Sequence, residues 1–328
     1  MILASHSEGA DFTETAAVPG RKPWLFTAIK IALSVAVIVA VARNVDLAAT
    51  WQRFAHQSLW LPAAAVAILI LQIGIGGLRW HFILRSLGDT SPIATSLRLY
   101  YISVFFNTWL WGAVGGDMLR AWLMRRADFR LRYAVNSVIL DRVAAVAAVG
   151  ILILGTAPFF IRDTHQYSLA LGLCAVAACL LGGIVIAALI HRLPIDWKHL
   201  KLLRGIHLLS TATDAIFLRP KATLPVLGVA ILGQLVVAVA VYVMSLGLDV
   251  GLSLTDCVIL MQPVALAVAL PISIGGWGVR ETAMIGLLGF VGIPSSAALS
   301  LSVQMGLLTI VATLPGAAFW LLHRESHP

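Results

Sequence analysis

The sequence predicts an all-α polytopic membrane protein with about six full transmembrane helices and two re-entrant hairpins arranged as inverted repeats. Three observations lead to this fold class. Hydrophobic residues make up 60% of the 328 residues and charged residues only 12%, whereas soluble domains carry about 25% charged residues. Several apolar runs reach the roughly 17–25 residues that a bilayer-spanning helix needs. A short motif also occurs twice, each time between predicted spans.

Six apolar runs have the length of a full membrane span. They cover residues 24–42, 59–78, 143–161, 168–190, 222–246 and 297–322. Together with their connections they form one predicted transmembrane domain over residues 24–322. Residues 1–23 contain acidic side chains and lack an apolar core, so we predict a disordered cytoplasmic tail there. Residues 323–328 are predicted to form a second, short cytoplasmic tail.

Two further apolar stretches are followed by limbs that do not suit a lipid-facing crossing. The first stretch, 97–113, leads through GGDMLR into a limb that carries four arginines. The second stretch, 256–274, leads through GGWGVRE into a return limb of only 12 residues. Irregular backbone at membrane depth must be shielded by protein or line a wet cavity. Both hairpins are therefore expected to lie in the interior of the molecule.

The distribution of basic residues sets the predicted orientation. With both hairpins re-entrant and the N-terminus inside, 16 of the 23 Lys and Arg residues fall in cytoplasmic segments, 3 outside and 4 within membrane-embedded stretches. This bias follows the positive-inside rule and places both termini in the cytoplasm. The basic segment 195–219 is then cytoplasmic. It forms either an interfacial helix that meets anionic lipid headgroups or a plain connector.

Two stretches share an order of elements that indicates an internal repeat. SLGDTSPIATSLRLYYISVFFNTWLWGAVGGDMLR begins at Ser86, and SLGLDVGLSLTDCVILMQPVALAVALPISIGGWGVRE begins at Ser245. Each opens with Ser-Leu-Gly after a span, reaches Gly-Gly and an arginine, and precedes another span. The predicted repeats cover about residues 59–161 and 222–322. Because the first hairpin enters from the cytoplasm and the second from outside, the repeats are inverted, as in many secondary transporters.

Opposite charges lie close to each Gly-Gly tip. The candidate residues for contact with a lipid headgroup are Asp117, Arg120, Asp141, Arg142, Arg280 and Glu281. An ionised residue at a helix centre costs about 2.5–3.5 kcal/mol on insertion scales, so such residues are retained for a reason. They either neutralise one another and pin the hairpins, or line a cavity that contacts a charged headgroup. The predicted tips themselves are formed by Gly115, Gly116, Pro271, Gly275, Gly276 and Gly278.

The sequence carries no recognisable catalytic or cofactor motif. Its three cysteines lack the spacing of a disulfide framework or a metal site, and its histidines lack ligand spacing. No phosphate loop, dinucleotide fingerprint or nucleophile motif occurs. We therefore expect no cofactor, no metal, no nucleic-acid partner and no enzymatic activity. The expected partners are membrane lipids, including anionic ones, and movement of a lipid would be facilitated or ion-coupled.

Three segments, GAVGGDMLRAWLMRR, VILDR and LPISIGGWGVRE, occur in this order. With them the chain resembles the membrane domain of bacterial lysylphosphatidylglycerol synthases, a flippase-like family of integral membrane proteins, in a stand-alone form. The resemblance implies movement of a phospholipid, hopanoid or glycolipid between the leaflets of the bacterial inner membrane. It does not imply aminoacyl transfer, which belongs to a separate soluble domain of the fused synthases. The alternative is a non-transporting partner or regulator of a lipid or glycan biosynthetic enzyme.

The predicted topology can be tested by labelling single cysteines from either side of the membrane. In an otherwise cysteine-free chain, Ala127→Cys and Thr211→Cys should react only from the cytoplasmic side and Asp163→Cys only from outside, because basic loops are retained inside. Labelling of Ala127→Cys from outside would make the first hairpin a full crossing, and the inverted repeat would be lost with it.

Overall fold

The structure of the chain, a computed structural model, describes residues 58–109, 115–126, 131–194, 201–269 and 276–325. In these ranges the regular structure consists of eleven α-helices and one short 3₁₀ helix that continues α5. The α-helices are α1 (Trp60–Ser86), α2 (Ile93–Trp109), α3 (Gly115–Arg126), α4 (Leu131–Thr164), α5 (Tyr167–Leu189), α6 (Lys201–Phe217), α7 (Pro220–Gly247), α8 (Leu254–Ala269), α9 (Val279–Gly289), α10 (Ser295–Ala312) and α11 (Leu314–Glu325).

Five of the described helical segments are long and apolar enough to cross a membrane. They are Trp60–Ser86, Arg132–Thr164, Tyr167–Arg192, Pro220–Gly247 and Ser295–Leu322. To within one residue, these segments cover five of the six predicted spans. The remaining one, 24–42, lies outside the described residues. No strand occurs in the part of the chain that the structure describes. The predicted all-α polytopic membrane fold is confirmed.

The last predicted span is interrupted. A turn at Thr313 separates α10 from α11. Pro315 accounts for this break, because its ring would clash with a carbonyl group one turn earlier in a continuous helix but is tolerated in the first turn of a new one. Because α11 ends at Glu325, residues 323–325 are helical, although the sequence placed them in the C-terminal tail. Residues 326–328 lie outside the described part of the chain.

α2 and α3 form the first hairpin. Asn107 near the end of α2 contacts Gly116 and Asp117 at the start of α3, and Leu99 and Met124, farther along both helices, share one hydrophobic cluster. The two helices therefore run antiparallel. The 12 residues of α3 span about 18 Å at 1.5 Å per residue, which is too short to cross a hydrocarbon core about 30 Å thick.

The first hairpin reaches the centre of the apolar part of α1. Leu97 of α2 packs over Gly77 of α1, and the Tyr101 hydroxyl donates to the carbonyl oxygen of Ile70 at 2.7 Å. α2 therefore runs antiparallel to α1. Ile70 lies near the middle of the predicted span 59–78, and α2 continues beyond Tyr101 for a further eight residues. Its end lies at least as deep as the middle of that span.

α8 and α9 form the second hairpin. α9 has 11 residues and packs against both α8 and α10. Val268 near the end of α8 lies close to Gly276, which just precedes α9, so the chain reverses its direction between the two helices. The connecting residues 270–275, which include the predicted tip residues Pro271 and Gly275, lie outside the described part of the structure.

The spans that precede the hairpins form the centre of the protein. α1 and α7 make the most extensive contact between any two described helices, while α4 packs against α7 and α10 packs against α1. Ala65 of α1 and Ala238 of α7 are fully buried in the main hydrophobic cluster. Each of the two central spans therefore contacts helices from both halves of the chain.

α6 occupies residues 201–217 of the basic segment predicted at 195–219, and residues 195–200 are not described. The helix packs against α5 and α7. Its two sides differ, because Ile216 and Ala212 are buried whereas Arg204 is exposed. This distribution agrees with a helix that lies on the protein surface with one apolar side covered.

An ion-pair network fixes α6 to its neighbours. The Asp214 carboxylate of α6 accepts hydrogen bonds from Arg192 at 2.8 Å and from Arg219 at 3.4 Å. Burial would raise the pKa of the Asp214 carboxyl, but the hydrogen bonds from the two arginines hold that pKa below its usual value. One carboxylate thus connects the end of α5, the helix α6 and the residue before α7.

Gly116 has no room for a side chain. A Cβ atom there would overlap the carbonyl oxygen of Ser103 and come within 2.7 Å of the Asn107 backbone nitrogen. Overpacking of this kind typically costs about 1–3 kcal/mol, so Gly116→Val should lower the melting temperature in detergent. Gly155→Val is the matched control, because a Cβ at Gly155 in α4 meets no heavy atom within 4 Å. Equal melting temperatures for the two variants would contradict the close α2–α3 contact.

Candidate functional site

Asp117 and Arg120 lie on one face of α3, as their spacing of three residues requires. Arg120 Nη2 donates to Asp117 Oδ1 at 3.4 Å. The same oxygen accepts hydrogen bonds from Ser103 Oγ at 3.3 Å and from Asn107 Nδ2 at 3.2 Å, both on α2. The first turn of α3 also favours a negative charge, because the helix dipole is positive there. Asp117 therefore connects the two limbs of the first hairpin.

Asp141 connects the hairpin to two spans. Its Oδ1 accepts a hydrogen bond from Arg79 Nε of α1 at 2.8 Å, and its Oδ2 accepts from Arg120 Nη1 and Nη2 of α3 at 3.3 Å each. Arg120 is 1% exposed and Asp141 is 2% exposed. A single buried carboxylate on α4 thus holds α1 and α3.

Arg142 completes the network from the neighbouring residue of α4. Its Nε and Nη2 donate to Asp117 Oδ2 at 2.9 and 2.7 Å. In contrast to the buried arginines, the Arg142 side chain is 57% exposed. We call the group Arg79, Asp117, Arg120, Asp141 and Arg142 the α3 cluster. Its three arginines and two aspartates have a net charge of one positive unit, and Arg142 is the most exposed arginine among them.

Aromatic rings cover the buried side of the α3 cluster. The Arg120 guanidinium carbon lies 4.6 Å from the ring centre of Trp80 and 5.0 Å from that of Tyr100. Trp80 Nε1 donates to Ser137 Oγ at 3.2 Å, and Arg79 Nη2 donates to the Tyr100 hydroxyl at 3.3 Å. The rings offer the cation a favourable π face and hold it in one orientation.

The α3 cluster lies at one end of the apolar runs of α1 and α4. Arg79 directly follows the predicted span 59–78, and Asp141 and Arg142 directly precede the predicted span 143–161. Asp117 lies farther along the apolar runs, because it bonds to Ser103 and Asn107, which follow Tyr101 on α2. The cluster therefore extends from this end towards the middle of the predicted spans.

Arg280 and Glu281 form a second group at the start of α9, which we call the α9 pair. Arg280 Nη2 donates to Glu281 Oε1 at 2.7 Å, and Arg280 Nε donates to Ser302 Oγ of α10 at 3.2 Å. Ser302 Oγ in turn donates to Glu281 Oε1 at 3.1 Å. Both charged residues are buried. The charges in this pair balance, in contrast to those of the α3 cluster.

The backbone before α9 supports the α9 pair. Gly276 and Gly278 have φ angles of 79° and 87°, which favour glycine over any residue with a Cβ atom. Glu281 Oε2 accepts a hydrogen bond from the Gly278 backbone N–H at 2.5 Å and so caps the helix. The Arg280 guanidinium carbon lies 4.7 Å from the ring centre of Trp277. Glu281 therefore pairs with Arg280 and caps the N-terminus of α9 at the same time.

The six predicted site residues thus fall into two groups. Sequence reasoning missed Arg79, which the charge count assigned to a cytoplasmic segment, and it missed Tyr100 entirely. One signal for Arg79 was available in the sequence. An arginine and a tryptophan directly follow the apolar run, and the helix continues past that run to Ser86.

The predicted tip residues Gly115 and Gly116 belong to α3 and have no left-handed φ. At Gly116 the reason for glycine is the close approach of α2.

No group of three or more His, Cys, Asp or Glu side chains in the described residues could hold a metal ion. Cys257 is buried, and Cys174 and Cys179 are free thiols on α5. The charged side chains described above are occupied with one another. The α3 cluster can therefore offer a ligand the guanidinium group of Arg142, next to hydrogen-bond donors and acceptors that are held in place.

A comparison with family models matches residues 27–316 to the family described as "Lysylphosphatidylglycerol synthase TM region". The match includes the whole of the α3 cluster and the α9 pair. A comparison with curated proteins finds no match. The resemblance inferred from the three motifs is therefore confirmed over most of the chain.

The α9 pair can be tested by a double-mutant cycle. Glu281→Gln keeps an acceptor for the Gly278 N–H but leaves the buried Arg280 charge without a counter-ion, which typically costs about 3–5 kcal/mol. We expect a large drop in the melting temperature in detergent. The double variant Arg280→Gln/Glu281→Gln should recover most of it, because both charges are then removed. Additive losses from the two substitutions would contradict a mutual clamp.

Proposed function

The chain belongs to the lysylphosphatidylglycerol synthase transmembrane-region family, and from this we propose that it moves a lipid between the leaflets of a membrane. The lipid would be a phospholipid, a hopanoid or a glycolipid. We further propose that the protein resides in the bacterial inner membrane with both termini in the cytoplasm, as the positive-inside rule favours. In this proposal the protein needs no cofactor and catalyses no covalent chemistry.

The observation that carries the proposal is the unbalanced charge of the α3 cluster. Within the part of the chain that the structure describes, two aspartates are shared by three arginines, so the cluster has a net positive charge. A net positive charge at such a site favours an anionic ligand, and ionisable residues of membrane spans often mark substrate paths. The anionic part of a lipid headgroup is the counter-ion that a membrane supplies at this depth.

Arg142 is the residue that would meet the headgroup. Its side chain is largely exposed, although two of its nitrogens already contact Asp117. The planar guanidinium fork suits phosphate and carboxylate groups, which it binds through two parallel hydrogen bonds. The buried Arg79 and Arg120 would then act as a fixed positive background that favours an anion at Arg142.

The packing of the spans supports the proposed inverted repeats. α1, α2, α3 and α4 correspond in order to α7, α8, α9 and α10, and the contacts α4–α7 and α1–α10 are equivalent under this correspondence. In transporters built from such repeats, one half rocks or gates against the other around the substrate. The two hairpins would then face the lipid path from opposite sides of the membrane.

A second candidate is a non-transporting partner or regulator of a lipid or glycan biosynthetic enzyme. The α9 pair favours it, because that pair is buried, charge-balanced and bonded to α10, which is the arrangement of a purely structural clamp. If the α3 cluster were likewise only a clamp, the protein could bind a lipid enzyme without moving lipid itself.

The α3 cluster can be tested with Arg142→Gln. Reconstituted into vesicles, the wild-type protein should accelerate the transbilayer movement of fluorescently labelled phospholipids. Arg142→Gln should slow this movement about tenfold, because a hydrogen bond to a charged group contributes about 1.5–3 kcal/mol. It should lower the melting temperature much less than Glu281→Gln does, because Asp117 keeps its bonds to Arg120, Ser103 and Asn107.

Arg162→Gln is the matched control. Arg162 also lies on α4, has a side chain that is 66% exposed and pairs with an aspartate, Asp163. The Arg162→Gln variant should move lipid as fast as the wild type. If no lipid class moves faster than in protein-free vesicles, the partner or regulator reading is favoured. If Arg142→Gln and Arg162→Gln behave alike in an active protein, the α3 cluster is not the headgroup site.

A further inference from the structure

A cavity of about 390 Å³ lies between α4, α5 and α6. It exceeds the lower limit of about 300 Å³ that is usual for small-molecule sites. Its walls are almost wholly apolar and include Val143 of α4, Leu180 and Ile184 of α5, and Leu209 of α6. Two of these helices are candidate membrane spans. The cavity therefore lies where the chains of membrane lipids have access to it.

The cavity is separate from the α3 cluster. Successive residues of an α-helix are turned by about 100°. Ile139, Leu140 and Val143 therefore share one side of α4, and these three residues line the cavity. Asp141 and Arg142 point to the other side of the same helix, where they contact Arg120 and Asp117 of α3. A ligand in the cavity would not contact that cluster.

The few polar groups in the cavity walls are already bonded to the protein. Thr213 Oγ1 donates to the carbonyl oxygen of Leu209 at 2.8 Å, and Ser210 Oγ accepts a hydrogen bond from the His191 backbone N–H at 2.9 Å. Neither hydroxyl needs a polar ligand. The walls therefore suit a hydrocarbon chain, since a polar group placed there would lose its bonds to water without full replacement.

Positive charge lies next to one end of the cavity. Arg192 and Arg219 both pair with Asp214, and their side chains are 61% and 68% exposed. Asp214 directly follows the cavity residue Thr213, and Arg192 lies two residues beyond the cavity residue Ile190. Among the described residues, these two arginines and one carboxylate leave a net positive charge at the surface. An apolar cavity with such an end matches a ligand that has an apolar chain and an anionic head.

We propose that this cavity binds an acyl chain of an anionic phospholipid, whose phosphate lies beside Arg192 and Arg219. The site is distinct from the α3 cluster and does not depend on whether the protein moves lipid. A lipid held there fills the space between two spans and α6, and it fixes α6 against the membrane surface.

Gly183 offers a way to fill the cavity. It lines the cavity, and a Cβ atom at this residue meets no heavy atom within 4 Å, so Gly183→Leu can occupy the space without a backbone clash. Gly182→Leu is the matched control, because Gly182 is the adjacent residue of α5, has the same free space and is not part of the cavity wall. Ala187→Leu, a second cavity residue, provides an independent filled variant.

The experiment uses the full chain in vesicles that contain phosphatidylglycerol with a photoactivatable diazirine on one acyl chain. After illumination, labelled peptides are mapped by mass spectrometry. The wild type and Gly182→Leu should be labelled at cavity residues of α4, α5 and α6, whereas Gly183→Leu and Ala187→Leu should lose this labelling. Labelling at the cavity that persists in both filled variants would overturn the proposal, and so would a loss of the same size in Gly182→Leu.

The choice of lipid head is tested with a second probe. Phosphatidylcholine with the same diazirine chain has a zwitterionic head, so it should label the cavity less than phosphatidylglycerol does. Arg192→Gln should reduce this difference, because it removes one of the two cations at the cavity end. Equal labelling by both lipids in the wild type would overturn the anionic part of the proposal. Because labelling is the readout, a protein that moves no lipid still gives a decisive result.

Discussion

The fold depends on one buried carboxylate. Asp141 of α4 accepts hydrogen bonds from Arg79 of α1 and from Arg120 of α3, so one carboxylate joins three helices. Removing charges from water costs several kcal/mol per ion, which is recovered only when the geometry and the further hydrogen bonds are good. The short α3 cannot cross a membrane by itself. Its location against the spans is therefore set by this carboxylate and by the aromatic rings around Arg120.

The two hairpins have different electrostatic roles despite their similar sequences. The α3 cluster has a surplus of positive charge and one largely exposed arginine. The α9 pair is neutral, buried and bonded to α10 through Ser302. In one hairpin the charges leave a net positive charge among the described residues, and in the other they balance and cap a helix. If the two hairpins are copies of one motif, as the sequence predicts, their charged residues have diverged.

Apolar run length was sufficient to predict the spans, because a bilayer demands a minimum number of apolar residues in a row. It could not predict helix ends. Arg79 was missed because α1 continues past the run that ends at Leu78, so a residue that looked like part of a loop is buried in the protein. The break at Thr313 was missed because Pro315 lies within an apolar run, where hydropathy alone gives no sign of it.

The candidate site was predicted only in part, because the sequence shows the spacing of residues within a helix but not the contacts between helices. The spacing of Asp117 and Arg120 predicts a shared helix face, and the structure confirms their contact. Contacts between helices cannot be read from spacing within one helix, so neither the bond from Arg79 to Asp141 nor the stacking of Tyr100 was foreseen. The inversion of the repeats and their boundaries stay predictions, since they depend on the location of a membrane.

The turn at Thr313 has a consequence for how the two halves of the chain fit together. α11 follows the second half in sequence but packs against α2 of the first hairpin, where a Cβ at Gly316 would overlap the carbonyl oxygen of Tyr101 and where Phe319 contacts the Tyr101 ring. The C-terminal helix thus acts as an arm that reaches across to the opposite half. The two halves are therefore interlocked in the described residues, and the first hairpin gains this contact only once α11 has been synthesised.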